Sequence, residues 1–327
     1  MSSTKIKSFH IKCAKAQFRS GERLSGEVIL ELVKPLKAEQ ISLLIFGCTE
    51  SLWYENTSSD DQVKYTSQEV YVKSESLLWR EDSKGSGQLN EGLHRFEFGL
   101  AIPEKSVSSF QHRKVNVRYS CECQIQRHGR FKHSIKTSAP FYVSQLVDLN
   151  CRQLGASCQE QTFRESQYGI SLEVTLPRAG FLPGEKVPVK AVIRNETSNK
   201  LKVLDTSLLQ SLVIRAQKRG ETHKDYTEKF YEEKLRSYPQ QLESSSPHRY
   251  QEVKFDINLP GAVPTLQTSR ILQIKYLLCF KLDQKGSGRA SLKLSVPVVL
   301  GNVQFKECPD ALQFPVSDPG SLEWQVD

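Results

Sequence analysis

The stretch FRSGERLSGEVIL, Phe18–Leu30, returns as FLPGEKVPVKAVI, Phe181–Ile193. Each copy runs Phe-x-x-Gly-Glu and then enters a valine- and isoleucine-rich segment. The interval of 163 residues is far wider than the roughly 20–50 residues of solenoid repeats. It points to one whole domain written twice. In each copy glycine stands at a turn between an apolar residue and a strand, a place where its freedom at positive φ is useful. The phenylalanine is expected to plug one end of a sandwich.

A second block repeats with the same internal spacing. Phe98 to Pro103 is five residues, and so is Phe255 to Pro260. Pro103 to Tyr119 and Pro260 to Tyr276 are both sixteen, and Tyr119 to Gly129 and Tyr276 to Gly286 are both ten. This block is offset by 157 residues, so a six-residue length difference in the intervening loops reconciles the two repeats.

Inside the blocks, hydrophobicity alternates with period two. In VRYSCECQIQR, Val117, Tyr119, Cys121, Cys123 and Ile125 share a face, while Arg118, Ser120, Glu122 and Gln124 share the other. That is the pattern of an antiparallel strand buried on one side. His128-Gly129 then reads as a tight turn, with Phe131 and Ile135 pointing inward on the return. In ILQIKYLLCFKL, Leu272, Ile274, Tyr276, Leu278, Phe280 and Leu282 form the inner face, followed by a turn at Gly286-Ser287-Gly288. Cys279 falls on the outward parity and is expected to be solvent-facing or half-buried. The fold class is therefore all-β, with two tandem immunoglobulin-like β-sandwiches. The domains are placed at 1–150 and 151–305, with a short acidic tail at 306–327. Two long polar inserts, 54–92 and 219–250, are read as recognition loops; the second is either a short helix or a charged strand.

The chain has 327 residues, 38% hydrophobic and 25% charged, enough for two cores. No apolar run approaches the roughly 20 residues that cross a bilayer. The first residues, MSSTKIKSFHIK, are polar and basic without an apolar signal segment, which makes the cytosol the expected location. The eight cysteines form neither CxxC pairs nor zinc-finger spacings, so they read as packed, reduced thiols. The net charge of +8 suits acidic partners such as phosphorylated peptides or anionic lipid. No G-x-S-x-G elbow, P-loop, HExxH or dinucleotide fingerprint is present, so no enzyme and no cofactor are expected. Nor is nucleic-acid binding expected, for want of an RNP-like aromatic pair, zinc knuckle or helix-turn-helix.

Taken in order, several residues resemble a known family. They are the two Phe-x-x-Gly-Glu phrases, Trp53, the block Gly92–Pro103, Ser108-Ser109-Phe110, Val117-Arg118-Tyr119, Asp148-Leu149-Asn150 and the closing Val296–Gly301. Together they resemble the alpha-arrestin (arrestin-domain-containing) family over about residues 5–305. The resemblance implies a cytosolic adaptor that binds membrane receptors or transporters for endocytosis, sorting or ubiquitin-linked trafficking. It implies recruitment to the plasma membrane or endosomes, with peripheral membrane contact and other arrestin-like proteins as further partners. Alternatives are a retromer-type sorting subunit and a redox or thioredoxin-linked scaffold. Many members carry Pro-Pro-x-Tyr for WW-domain ubiquitin ligases; none stands in these 327 residues, so a ligase is expected only indirectly. The expected acidic-partner site follows outward parity on the first sandwich: His10 and Lys12 on the opening strand, then Arg118, Arg130, Lys132 and Lys136. The resemblance implies phosphate contacts on that opening strand, carried over to Lys12 and Lys15.

Overall fold

The computed structural model describes residues 5–56, 61–81, 87–127, 134–150, 159–198, 200–220, 225–242, 249–284 and 292–305. The turns expected at His128-Gly129 and Gly286–Gly288, Phe131, Arg130, Lys132 and the acidic tail lie outside these residues. The first half contributes β1 (Ile6–Cys13), β2 (Gln17–Arg19), β3 (Arg23–Leu32), β4 (Leu36–Lys37), β5 (Gln40–Asn56), β6 (Gln62–Arg80), β7 (Gln88–Leu89), β8 (Gly92–Ala101), β9 (Phe110–His112), β10 (Val115–Gln126) and β11 (Ile135–Ser144). The second contributes β12 (Gln161–Gln167), β13 (Ile170–Leu176), β14 (Gly180–Phe181), β15 (Lys186–Asn195), β16 (Leu201–Lys218), β17 (Thr227–Gln241), β18 (Arg249–Asn258), β19 (Leu272–Gln284) and β20 (Leu292–Leu300). Every element among the described residues is a strand, as the alternation requires.

In the first sandwich a three-stranded sheet, β1-β3-β8, covers β6-β5-β10-β11-β2. In the second, β12-β13-β15-β18 covers β16-β19-β20-β14, with β17 added outside β16. The larger sheets of the two halves join where Gln217 and Lys218 of β16 pair with Thr66 and Tyr65 of β6. One eleven-stranded sheet thus runs through both domains. Alternating side chains fill the cores: Val117, Tyr119, Cys121, Cys123 and Ile125 are buried on β10, and Leu272 through Leu282 on β19.

The repeated phrase does the same work twice. Phe18 on β2 lies parallel to Val143 of β11, and Phe181 on β14 lies parallel to Leu300 of β20. Both rings are 1% exposed, each burial stabilising by about 1.5–3 kcal/mol. Gly21 and Gly184 then turn the chain at φ of 80° and 83°, where a β-carbon is strained. The Glu22 carboxylate accepts the Arg19 N–H and the Glu185 carboxylate the Leu182 N–H, both at 2.8 Å. A cation three residues before each phenylalanine completes the clasp. Lys15 lies 5.1 Å from the Phe18 centroid and pairs with Glu22; Arg178 lies 5.2 Å from that of Phe181 and pairs with Glu185. The matched tyrosines also agree: Tyr119 donates to the Val107 carbonyl and Tyr276 to the Val263 carbonyl, each at 2.7 Å.

Two expectations change, and the choice left open for 219–250 falls to the charged strand. The insert 54–92 is mostly strand, because β6 pairs with β5 along its whole length. The described part of 219–250 is also mostly strand: β17 pairs with β16 from Thr227 to Gln241. Its Tyr231, Leu235 and Tyr238 pack on the core, while its many charges suit an edge strand that must resist further pairing. Cys279 is 6% exposed despite its outward parity. It sits on a central strand between Ser207 and Ser295, where a short side chain is shielded by its longer neighbours along the strand.

Candidate functional site: a basic first sandwich and an inter-domain junction

The expected basic residues leave the first sandwich by different faces. Lys12 is exposed on β1, across from Glu27, and Glu27 faces Glu97 on β8. Beside it Arg95 pairs with Glu27 at 2.7 Å and Lys7 with Glu31 at 2.8 Å. The outer face of the small sheet therefore mixes both signs. Lys15 belongs to the clasp with Glu22 and Phe18, and its cation holds the Glu22 carboxyl below the usual carboxylate range. Arg118 and Lys136 are exposed on the outer face of the larger sheet, the opposite side of the sandwich. There Arg118 pairs with Glu50 at 2.6 Å, and Lys136 stands across from Gln124. Outward parity on two facing sheets points in opposite directions, so Lys12 does not converge with Arg118 and Lys136.

What the structure assembles instead is a junction between the domains. A register shift between Gly47 and Cys48 leaves Tyr71 as the extra residue on β6, and such bulges re-aim side chains. Tyr71 receives a hydrogen bond from Thr49 at 2.7 Å and donates to Glu69 at 3.0 Å. Glu69 reaches across to the segment before β19. Its carboxylate accepts the Ser269 hydroxyl at 2.6 Å, the Arg270 N–H at 3.0 Å and the Arg270 Nε at 3.3 Å. Ser269 in turn accepts the N–H groups of Ile271 and Leu272, each at 3.2 Å. Burial pushes the Tyr71 phenol well above its ordinary range, so it stays a protonated donor.

Further contacts tie the same junction. The Ser51 hydroxyl donates to the Arg215 carbonyl at 2.7 Å, and the Gln217 N–H to the Ser67 hydroxyl at 3.1 Å. Lys229 of β17 pairs with Glu55 of β5. The Tyr231 ring meets His112 at 4.8 Å and Arg113 at 5.3 Å. His112 accepts the Lys114 N–H at Nδ1, and burial together with Arg113 lowers its pKa. On the hinge side, Val147 donates to Asn302 at 2.8 Å, and Asn302 donates to the Gln145 carbonyl at 2.7 Å. Asp148 bridges Val303 there. A β-carbon on Gly301 would stand 2.6 Å from Leu149, so glycine is needed where the returning chain crosses the hinge.

The chemistry of these groups is that of fastening. Among the described residues no three His, Cys, Asp or Glu side chains group as metal ligands. A depression of about 570 Å³ on the second domain is lined by Arg164, Ser166, Ser171, Glu173 and Arg194. Arg164 and Glu173 pair there at 2.6 Å, beside the further charges of Glu165 and Arg194. Sequence reasoning missed the junction. Glu69, Tyr71, Ser269 and Arg270 lie about 200 residues apart and form no local pattern. The one available signal was an acidic residue at the inward edge of a polar strand.

Comparison with known proteins gives two domain families in tandem. The arrestin (or S-antigen) N-terminal domain matches residues 8–150, and the arrestin (or S-antigen) C-terminal domain matches residues 166–305. Arrestin domain-containing protein 17 of Caenorhabditis elegans is 21% identical over 300 residues, 87% of this chain and 67% of that protein. Human arrestin domain-containing protein 4 is 23% identical over 306 residues, 89% of this chain and 69% of that protein. Human thioredoxin-interacting protein is 24% identical over 208 residues, 59% of this chain and 51% of that protein.

Proposed function

Because this chain belongs to the alpha-arrestin branch of the arrestin family, we propose that it is a non-enzymatic cytosolic adaptor for membrane cargo. It binds cytosolic segments of receptors or transporters and directs them to endocytosis, sorting or ubiquitin-linked trafficking. It is recruited to the plasma membrane or endosomes, and it reaches a ubiquitin ligase through a second arrestin-like partner. The observation that carries this reading is the pair of arrestin domains, held in one continuous sheet by the β6–β16 pairing. Such a pair offers a broad binding surface at a set angle. Acidic or phosphorylated cargo segments are read along the edge strand β1, where Lys12 is exposed and Lys15 exchanges Glu22 for a phosphate oxygen. Arg118 and Lys136 present a second, separate basic face to anionic partners.

Proximity labelling with the full chain in intact cells tests this. Enrichment of plasma-membrane receptors or transporters is the expected result. Enrichment of retromer components without cargo would replace it with the sorting-subunit reading. The likeness to a protein named for interacting with thioredoxin favours one alternative, a thioredoxin-linked scaffold. Labelling confined to thioredoxin would establish that alternative in its place.

A further inference from the structure

The small sheet of the first sandwich ends at β8, which among the described residues pairs with β3 alone. Its edge is ten residues long and carries no proline. The inner side chains Phe96, Phe98 and Leu100 pack on the core yet stay only partly buried, because no further strand covers them. The direction of the free backbone groups is fixed. In an antiparallel pair a residue's N–H and C=O point to the same side, and that side alternates along the strand. Ile102, just past β8, donates to the Glu22 carbonyl at 2.8 Å and accepts the Gly21 N–H at 3.0 Å, both toward β3. Leu93, Arg95, Glu97 and Gly99 therefore turn their backbone groups to the open edge. Their side chains lie on the outer face, where Glu97 stands directly across from Glu27, a destabilising like-charge pair. Arg95 pairs with Glu27 at 2.7 Å, and no cation pairs with Glu97 among the described residues. The duplicated edge strand β18 differs, since its acids already have cations: Lys186 lies 2.8 Å from Asp256, and Lys190 and Lys254 each lie 3.4 Å from Glu252.

We propose that β8 pairs antiparallel with β8 of a second copy of this chain, centred on Phe96, so that two three-stranded sheets become one. About that centre Arg95 falls opposite Glu97 of the second copy, and Glu97 opposite its Arg95. Both residues turn their backbone groups to the edge, so these become hydrogen-bonded pairs. Each Glu97 gains a cation on the side away from Glu27, in two opposite-charge cross-strand pairs. On the inner face Phe96 meets Phe96 of the second copy, and His94 meets its Phe98. These are non-hydrogen-bonded pairs, where side chains come closest, and they cover the apolar surface that the open edge leaves half-buried. Leu93, 54% exposed, comes opposite Gly99, beside the Arg23 guanidinium that lies over that glycine. Centring the pair on Arg95 or on Glu97 instead would set like charges face to face. The pairing leaves β1, at the far edge of the same sheet, untouched, so it does not rest on the cargo reading.

The test is sedimentation velocity of the full chain in dithiothreitol. Concentrations run from about 1 μM to about 200 μM, which brackets the micromolar dissociation constants of so small an interface. The mass should move with concentration from 37.2 kDa toward twice that value. Glu97→Arg and Arg95→Glu each turn two attractive pairs into two repulsive ones and should weaken association about thirtyfold or more. Glu97→Arg also removes the like charge facing Glu27, so its melting temperature should not fall, which separates loss of pairing from loss of fold. Mixed in equal amounts, the two variants set the acids of one copy against the arginines of the other, and the heavier species should return. The double variant, Arg95→Glu with Glu97→Arg, restores complementarity within one chain and keeps the test open if Arg95→Glu alone misfolds beside Glu27. The proposal is overturned by a wild type that stays at 37.2 kDa throughout, by a dimer that survives either reversal, or by a mixture and a double variant that both stay monomeric.

Discussion

Replacing Glu69 by alanine should loosen the two domains from one another. Its side chain is 12% exposed, and that of its partner Arg270 is 77% exposed. The ion pair with the Arg270 guanidinium is therefore largely screened and contributes little. Two other bonds carry the weight: those from the Ser269 hydroxyl at 2.6 Å and the Arg270 N–H at 3.0 Å. A hydrogen bond to a charged acceptor contributes about 1.5–3 kcal/mol net, and water can reach part of the emptied site. The expected loss is about 2–4 kcal/mol, a melting shift of roughly 4–12 °C for a chain of this size. Glu69→Gln keeps an acceptor but loses the charge, and should cost about half as much. Thermal unfolding gives the magnitude. Limited proteolysis gives the location, with the alanine variant cut sooner between residues 259 and 271 while β1–β5 stay protected. An alanine variant melting within about 1 °C of the wild type would show that Glu69 does not fasten the domains.

Other consequences follow from the same geometry. Gly184→Ala meets nothing within 4 Å but keeps φ of 83°, so it should cost only backbone strain, about 1 kcal/mol, with Gly184→Asn costing less; chemical denaturation compares them. Gly47→Ala would put a β-carbon 2.1 Å from the Tyr119 ring and should cost about 3 kcal/mol through overpacking of the first core. The lowered pKa of His112 means that the unfolded state binds its proton more readily. Its share of stability is present above about pH 6.5 and is lost as pH falls through the folded value. Melting curves from pH 7.5 to 5 should therefore fall less steeply for His112→Gln than for the wild type. Charge reversal at Lys12 and Lys136, both exposed, should leave melting within about 1 °C while weakening capture of a phosphorylated cargo peptide in a salt-dependent way. Unaltered capture would return both residues to a merely solvating role.

Much of this protein was legible before any coordinates. Alternation on β10 and β19 marks which side chains are inward because a pleated strand repeats every two residues. Repeated spacings identify the domain as duplicated because equal turns and strands need equal lengths. Even the Phe-x-x-Gly-Glu clasp is local: its phenylalanine, turn glycine, glutamate and preceding cation all lie within eight residues. Long-range placement was decided only in three dimensions. Parity could name Lys12, Arg118 and Lys136 as outward, but not which way outward points, since that depends on which sheet each strand joins. The bulge at Tyr71 and the charged pairing of β17 were hidden because strand identity there comes from the neighbouring strand, not from the segment's own pattern. The junction of Glu69 with Ser269 belongs to the same class. It joins residues 200 positions apart, and only the packing of domain on domain brings them within a hydrogen bond.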